Sequence, residues 1–179
     1  LRHEWRDPWK GADDLDARVV RAVGVPAERF REDYLRILRG IRFAARFGFD
    51  IEPATWAAMQ ASAEGLPRLS AERVRDELDK LMVVDDPAAG LWFLVDTGLI
   101  DEFLPELTAM RLEQDPIHRH KDVLAHTIAV VGNVRARLDD GTPNRVTRLA
   151  ALFHDVGKPK TRAIGPDGCQ ERHDLLVLA

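Results

Sequence analysis

One cysteine, Cys169, is all the sequence holds, which excludes a disulfide framework and a cysteine-rich zinc module and suits a reducing compartment. No apolar run approaches the roughly 20 residues a membrane-spanning helix needs, and no basic stretch followed by an apolar one marks a leader. The expectation is a cytoplasmic protein with no membrane partner. Positive charge is also in short supply: 26 Lys and Arg face 30 Asp and Glu, a net charge of −4, which argues against an indiscriminate nucleic-acid binder. Strand-like alternation, internal repeats and low-complexity tracts are missing as well. The chain opens on Leu1 rather than Met and stops inside the apolar run Leu175 to Ala179, so a piece of a longer protein is expected.

What is present is helical periodicity, and with 45% hydrophobic residues the chain can bury one or two cores. The fold class expected is all-α. From Arg31 to Phe47 the apolar positions Tyr34, Leu38, Ile41 and Ala45 recur at helical spacing, and Gly48 ends the run. A helix starts near Pro53 and carries Trp56 and Met59. Ser70 is placed to cap the next, with Glu72 in its first turn and Leu69 positioned to staple onto Val74. Asp86-Pro87 opens another that Gly98 closes, and Gly98 through Pro105 reads as a tight apolar turn. Two further helices are predicted over about Asp122–Leu138 and Arg145–Asp155, joined by the loop Asp139 to Pro143. Charge is uneven, since residues 51–120 hold 6 basic and 14 acidic side chains between two mildly basic ends.

Arg36, Arg39, Arg42 and Arg46 fall at spacings of three, three and four, a row of guanidinium forks along one flank of the Arg31–Phe47 helix. Glu32 and Asp33 lie within pairing distance of Arg36, so a solvated face laced with ion pairs is one reading. The other pairs Asp33 with Arg36 as an acceptor beside a planar donor, which matches the Watson–Crick edge of cytosine or adenine. The run Arg29-Phe30-Arg31-Glu32-Asp33-Tyr34-Leu35-Arg36-Ile37-Leu38-Arg39, continuing through Arg42-Phe43-Ala44-Ala45-Arg46-Phe47-Gly48, resembles the neck motif of the class II CCA-adding enzymes and their bacterial poly(A) polymerase relatives. Asp7-Pro8-Trp9-Lys10-Gly11 through Leu15 is similar to that family's passage out of its catalytic head. Leu69-Ser70-Ala71-Glu72-Arg73 with Glu77-Leu78, and Gly98 through Leu107, resemble its body.

The resemblance implies that Asp33 and Arg36, with Arg39 beside them, meet the base of incoming CTP or ATP, and that Arg42 and Arg46 meet RNA. It also implies tRNA as partner and magnesium as cofactor in a head segment. That family's head carries a Gly-Ser-containing nucleotide loop and an Asp-x-Asp pair that holds two magnesium ions; neither is expected in these residues, so the polymerising step is not assigned to them.

His126, His154 and Asp155 form the second constellation. Nitrogen and carboxylate donors together suit a divalent transition metal such as Mn, Ni, Co, Fe or Zn. The 28 residues from His126 to His154 allow a helix, a turn and a returning helix. Adjacent His154 and Asp155 can share an ion only where a helix ends, and Gly157 and Pro159 supply that end. The competing reading is a core histidine plus a C-terminal cap. The set Leu149 to Lys158 around His154-Asp155 resembles the HD phosphohydrolase superfamily, which implies metal at His126, His154 and Asp155, with Lys158 on phosphate. That superfamily's last aspartate has no counterpart before Ala179, His173-Asp174 matches a further element only in part, and His118 and His120 are expected in a loop.

The organisation expected is therefore 1–28 as the tail of a head and linker, 29–110 as neck and body, and 111–179 as a partial HD domain. Three functions compete: part of a CCA-adding nucleotidyltransferase with an appended HD domain, a freestanding HD phosphohydrolase, or a non-catalytic RNA-binding module. The first is favoured because the Arg29–Gly48 and Gly98–Leu107 passages have no role in a freestanding HD enzyme.

Overall fold

The computed structural model describes residues 6–111, 122–164 and 170–172. Its elements are overwhelmingly helical, and the all-α expectation holds; the strands are two or three residues long. Helix α1 (Gly11–Asp16) begins where the Asp7 carboxylate accepts from the Gly11 and Ala12 amides at 2.8 Å each, a substitute for the helical bonds a first turn lacks. Those bonds, Ala12 first, hold Asp7 below the usual carboxylate range. Strand β1 (Val19–Val20) pairs in parallel with β2 (Asp50–Ile51), bracketing α2 (Pro26–Glu32) and α3 (Leu35–Phe47).

The predicted single helix over Arg31–Phe47 is two helices. Asp33 is extended, with φ −157° and ψ 105°, and its carboxylate accepts from the Leu35 amide at 3.1 Å, so α3 restarts on a local side-chain bond instead of continuing α2. Gly65 makes room beside this break: a Cβ there would sit 1.9 Å from the Tyr34 ring. Periodicity missed the interruption because both helices keep their apolar residues on the core side, including Phe30, Leu35, Leu38, Ile41 and Ala45. Gly48 closes α3 in the left-handed region at φ 64°, where glycine carries no Cβ penalty, and the Phe49 amide returns to the Ala44 carbonyl at 2.9 Å.

The other predicted helices appear as α4 (Pro53–Ala61), α5 (Ala71–Met82) and α6 (Pro87–Asp96). Glu52 caps α4 through the Thr55 amide, and Asp86 caps α6 through the Ala88 and Ala89 amides. Ser70 sits at the N-cap of α5 but makes no side-chain bond to a helical amide. The apolar turn after Gly98 is a 3-10 segment (Leu99–Glu102) followed by α7 (Pro105–Thr108). Helix α8 (Val123–Asn133) stops five residues before the predicted Leu138. Val134 turns extended, and the next residues fold into a tight loop in which Leu138 donates to Thr142 and Ala136 accepts from Asn144. The remaining elements are α9 (Arg145–Phe153), α10 (Lys158–Thr161) and the antiparallel pair β3 (Arg162–Ile164) and β4 (Gln170–Arg172).

Helix α3 packs on α5 and α6, α6 on α8, and α8 on α9. The buried apolar side chains form one cluster from Phe30 to Leu152, and it passes through the expected boundary at 110/111, where the Leu124 amide donates to the Met110 carbonyl. Arg148, 1% exposed, is set into this core. It donates to the carbonyls of Met82 at the end of α5, of Val84 and Asp85 just beyond it, and of Val134 after α8. Burial pulls its guanidinium below the ordinary value, and nearby Asp85 and Asp86 oppose that.

Candidate nucleotide-reading and metal sites

The break between α2 and α3 separates Asp33 from the helix that carries Arg36. The expected pairing of Arg36 with both Glu32 and Asp33 is therefore corrected. Arg36 donates to the Glu32 carboxylate and, at 3.0 Å, to the Arg29 carbonyl; Arg29 holds the same carboxylate at 2.7 and 3.0 Å. Hydrogen bonding by Arg36 outweighs the opposing effect of burial and keeps Glu32 below the ordinary glutamate range. Asp33 turns instead to Arg73 on α5, whose Nη2 lies 3.0 Å from each carboxylate oxygen. Both side chains stay reachable, Asp33 being 28% and Arg36 35% exposed.

Further along α3 the arginine row divides. Arg42 donates from Nε to Glu77 at 2.7 Å and is largely buried with it, while half-exposed Arg39 approaches the same carboxylate at 3.7 Å. Glu77 is 3% exposed; burial resists its ionisation, but hydrogen bonds from Arg42 and then Lys80 prevail and leave it below the usual glutamate range. Arg46 is exposed, with its guanidinium 5.6 Å from the Phe47 ring centre. Phe43 and Phe47 stack at 6.0 Å, and with Phe49 and Trp9 they line a cavity of about 420 Å³ between α1, β1 and α3.

His126 on α8 and His154 at the end of α9 come together as the spacing predicted, with ring centres 5.6 Å apart. His154 is the C-cap of α9, which is what lets it and Asp155 face one point. One donor atom from each of His126, His154 and Asp155 lies within 4.8 Å of the others. Two ligands on one ion at about 2.1 Å can be at most about 4.2 Å apart, so the set fits a single divalent ion after a small closure. His154 Nδ1 lies 2.7 Å from the Ala151 carbonyl, which can only accept. Nδ1 therefore donates there, which leaves Nε2, 3.2 Å from Asp155 Oδ2, as the ring nitrogen turned toward the point an ion would occupy. Lys158 Nζ occupies that same oxygen at 2.6 Å. His118, His120 and His173 lie outside the described residues.

Sequence reasoning missed Arg73, Glu77 and Arg148 as structural partners. Arg73 and Glu77 carried the signal of an i,i+4 pair inside the Leu69–Leu78 segment, and Arg148 shares a helical face with buried Ala151 and Leu152. The sequence also contains a literal Asp-x-Asp, Asp14-Leu15-Asp16, but it lies in the end of α1 with Asp14 committed to Arg21.

Residues 48–111 match the family described as "Probable RNA and SrmB- binding site of polymerase A". The fold is similar to that of the Bacillus stearothermophilus CCA-adding enzyme in complex with CTP, with TM-score 0.63 and 28% identity, covering 85% of this chain and 34% of that one. A CCA-adding enzyme of Streptococcus gordonii is 49% identical over 110 residues, covering 60% of this chain and 27% of the relative. The A-adding tRNA nucleotidyltransferase of Deinococcus radiodurans is 39% identical over 167 residues, covering 90% of this chain and 37% of the relative. The chain belongs to the family of CCA-adding enzymes and poly(A) polymerases. It spans 27% and 37% of the length of those two relatives.

Proposed function

We propose that this chain is the base-reading and RNA-holding part of a nucleotidyltransferase that extends tRNA 3′ ends with CCA from CTP and ATP. The observation that carries the reading is the interruption at Asp33: it leaves an acceptor and a guanidinium on either side of a helix start, each fixed by another residue and each open to solvent. Asp33 accepts from the exocyclic amine of cytosine or adenine, and Arg36 donates to the neighbouring ring nitrogen. Uracil and guanine reverse that donor and acceptor order and are rejected. Magnesium-held carboxylates supply the transfer step in this type of chemistry, and the family resemblance puts them in a head segment. Exposed Arg46, with Arg39, offers charge to RNA phosphates.

The test is Arg36→Ala in the full-length enzyme, with incorporation of all four nucleotides and melting temperature measured side by side. Selection of CTP and ATP over UTP and GTP is expected to fall by about 1–3 kcal/mol, the size of a lost bidentate base contact. Unchanged selectivity with slightly lower stability would return Arg36 to a solvated helix face.

A second reading rests on the His126–His154–Asp155 geometry. We propose that these residues hold a divalent transition metal in an appended HD-type phosphohydrolase site, where the ion supplies charge stabilisation for a phosphoester. Lys158 holds Asp155 in place and gives a phosphate oxygen a cation.

A further inference from the structure

We infer that Arg73 is the positioning residue that holds the Asp33 carboxylate in place as an acceptor, and thereby sets which nucleobases the site admits; this rests on the base-reading role proposed above. Asp33 lies outside both helices, on extended backbone, so no helical framework fixes its side chain. Two groups do. The Leu35 amide donates to Oδ1 at 3.1 Å, and Arg73 Nη2 reaches across from α5, forty positions along the chain, to lie 3.0 Å from both oxygens. Those contacts use up part of a carboxylate's roughly four lone-pair positions and leave acceptor capacity on its solvent side.

The chemistry that follows is one of polarity. An ionised carboxylate can only accept, so it bonds the amine of cytosine or adenine and repels the carbonyl oxygen that uracil or guanine presents at the equivalent position. A carboxylate that swings away, so that its place is filled by water, loses that discrimination. Arg73 opposes that movement, because its Nη2 holds both oxygens at once from the α5 side and a guanidinium keeps its charge throughout. Glu32 performs the complementary service for Arg36 from α2. The reader is thus assembled from three helices, with Arg73 as the only one of these groups contributed by α5.

The experiment uses the full-length enzyme carrying Arg73→Ala, Arg73→Lys, Asp33→Ala and the Arg73→Ala/Asp33→Ala double variant, with incorporation of CTP, ATP, UTP and GTP measured for each. Arg73→Ala is expected to lower selectivity about tenfold with little change in melting temperature, the pair being a partly exposed one. Arg73→Lys, which keeps the charge on a shorter side chain, should recover part of that loss. In the Asp33→Ala background, Arg73→Ala should cost nothing further in selectivity, since it acts through Asp33. Additive losses in the double variant would overturn the inference, as would full selectivity in Arg73→Ala while Asp33→Ala loses it; either result makes the pair an interhelical tie. Full selectivity in Asp33→Ala itself would remove the underlying base-reading role instead. If Arg73→Ala does not fold, Arg73→Gln, which keeps the length and one donor group without charge, takes its place in every arm.

Discussion

Glu77 is a carboxylate buried beneath an arginine row, and its ionisation depends on the company it keeps. Burial alone would push its proton affinity up, yet Arg42 and Lys80 bring it below the ordinary range, so the folded form binds the proton less tightly than the unfolded one. For such a group the stabilisation is fully present above the unfolded value, about 4.3, and is lost as pH falls through the lower folded value. Glu77→Gln is expected to cost about 1.5–3 kcal/mol at neutral pH, the range for hydrogen bonds to charged groups, because it also strands the largely buried Arg42. Denaturant titrations of both proteins from pH 7 down to about pH 3 check the sign: the two stabilities should converge on acidification, since protonated Glu resembles Gln. A gap that stays constant with pH would mean that shape, not charge, matters at this position.

At the scale of elements, the side chain to weigh is Arg148. Its four carbonyl contacts close the ends of α5 and α8 from a position on α9. Arg148→Ala leaves several buried acceptors unpaired and opens a cavity, and the expected loss is on the order of 3 kcal/mol or more, with Arg148→Lys intermediate because a single ammonium cannot reach so many acceptors. Thermal or denaturant unfolding checks this directly. Most helices were legible in the sequence because their starts were written in short-range chemistry: Pro53 and Pro87 in first turns, Asp86 as a cap, Gly48 as a stop. The break at Asp33 was not legible, since hydrophobic spacing reports which side faces the core and is blind to a single extended residue that preserves the facing. The end of α8 at Asn133 was missed for a related reason. Its would-be last turn is used in the loop closed by Thr142 and Asn144, a contact that periodicity does not encode.

Over the whole molecule, the metal-type constellation depends on α8 and α9 lying side by side, and so on the one hydrophobic cluster that holds them. All three donors were visible in the sequence because histidine and aspartate at a helix end are chemically conspicuous, whereas Arg73 and Glu77 looked like ordinary surface charge until the fold joined them to residues dozens of positions away. Three protein donors, two on exposed histidines and one on buried Asp155, should bind Mn or Ni weakly, and calorimetric titration is expected to show binding that His154→Ala abolishes. Retention of metal by that variant would leave His154 as a helix cap bonded to Ala151. Arg148 has one more consequence, for how this protein can change over generations. It grips main-chain oxygens alone, and every residue has one of those, so the side chains at positions 82, 84, 85 and 134 can drift without disturbing the clamp. The contact constrains the arginine and places no demand of its own on the side chains of its partners. A search for correlated substitutions would pass over the contact that joins three helices.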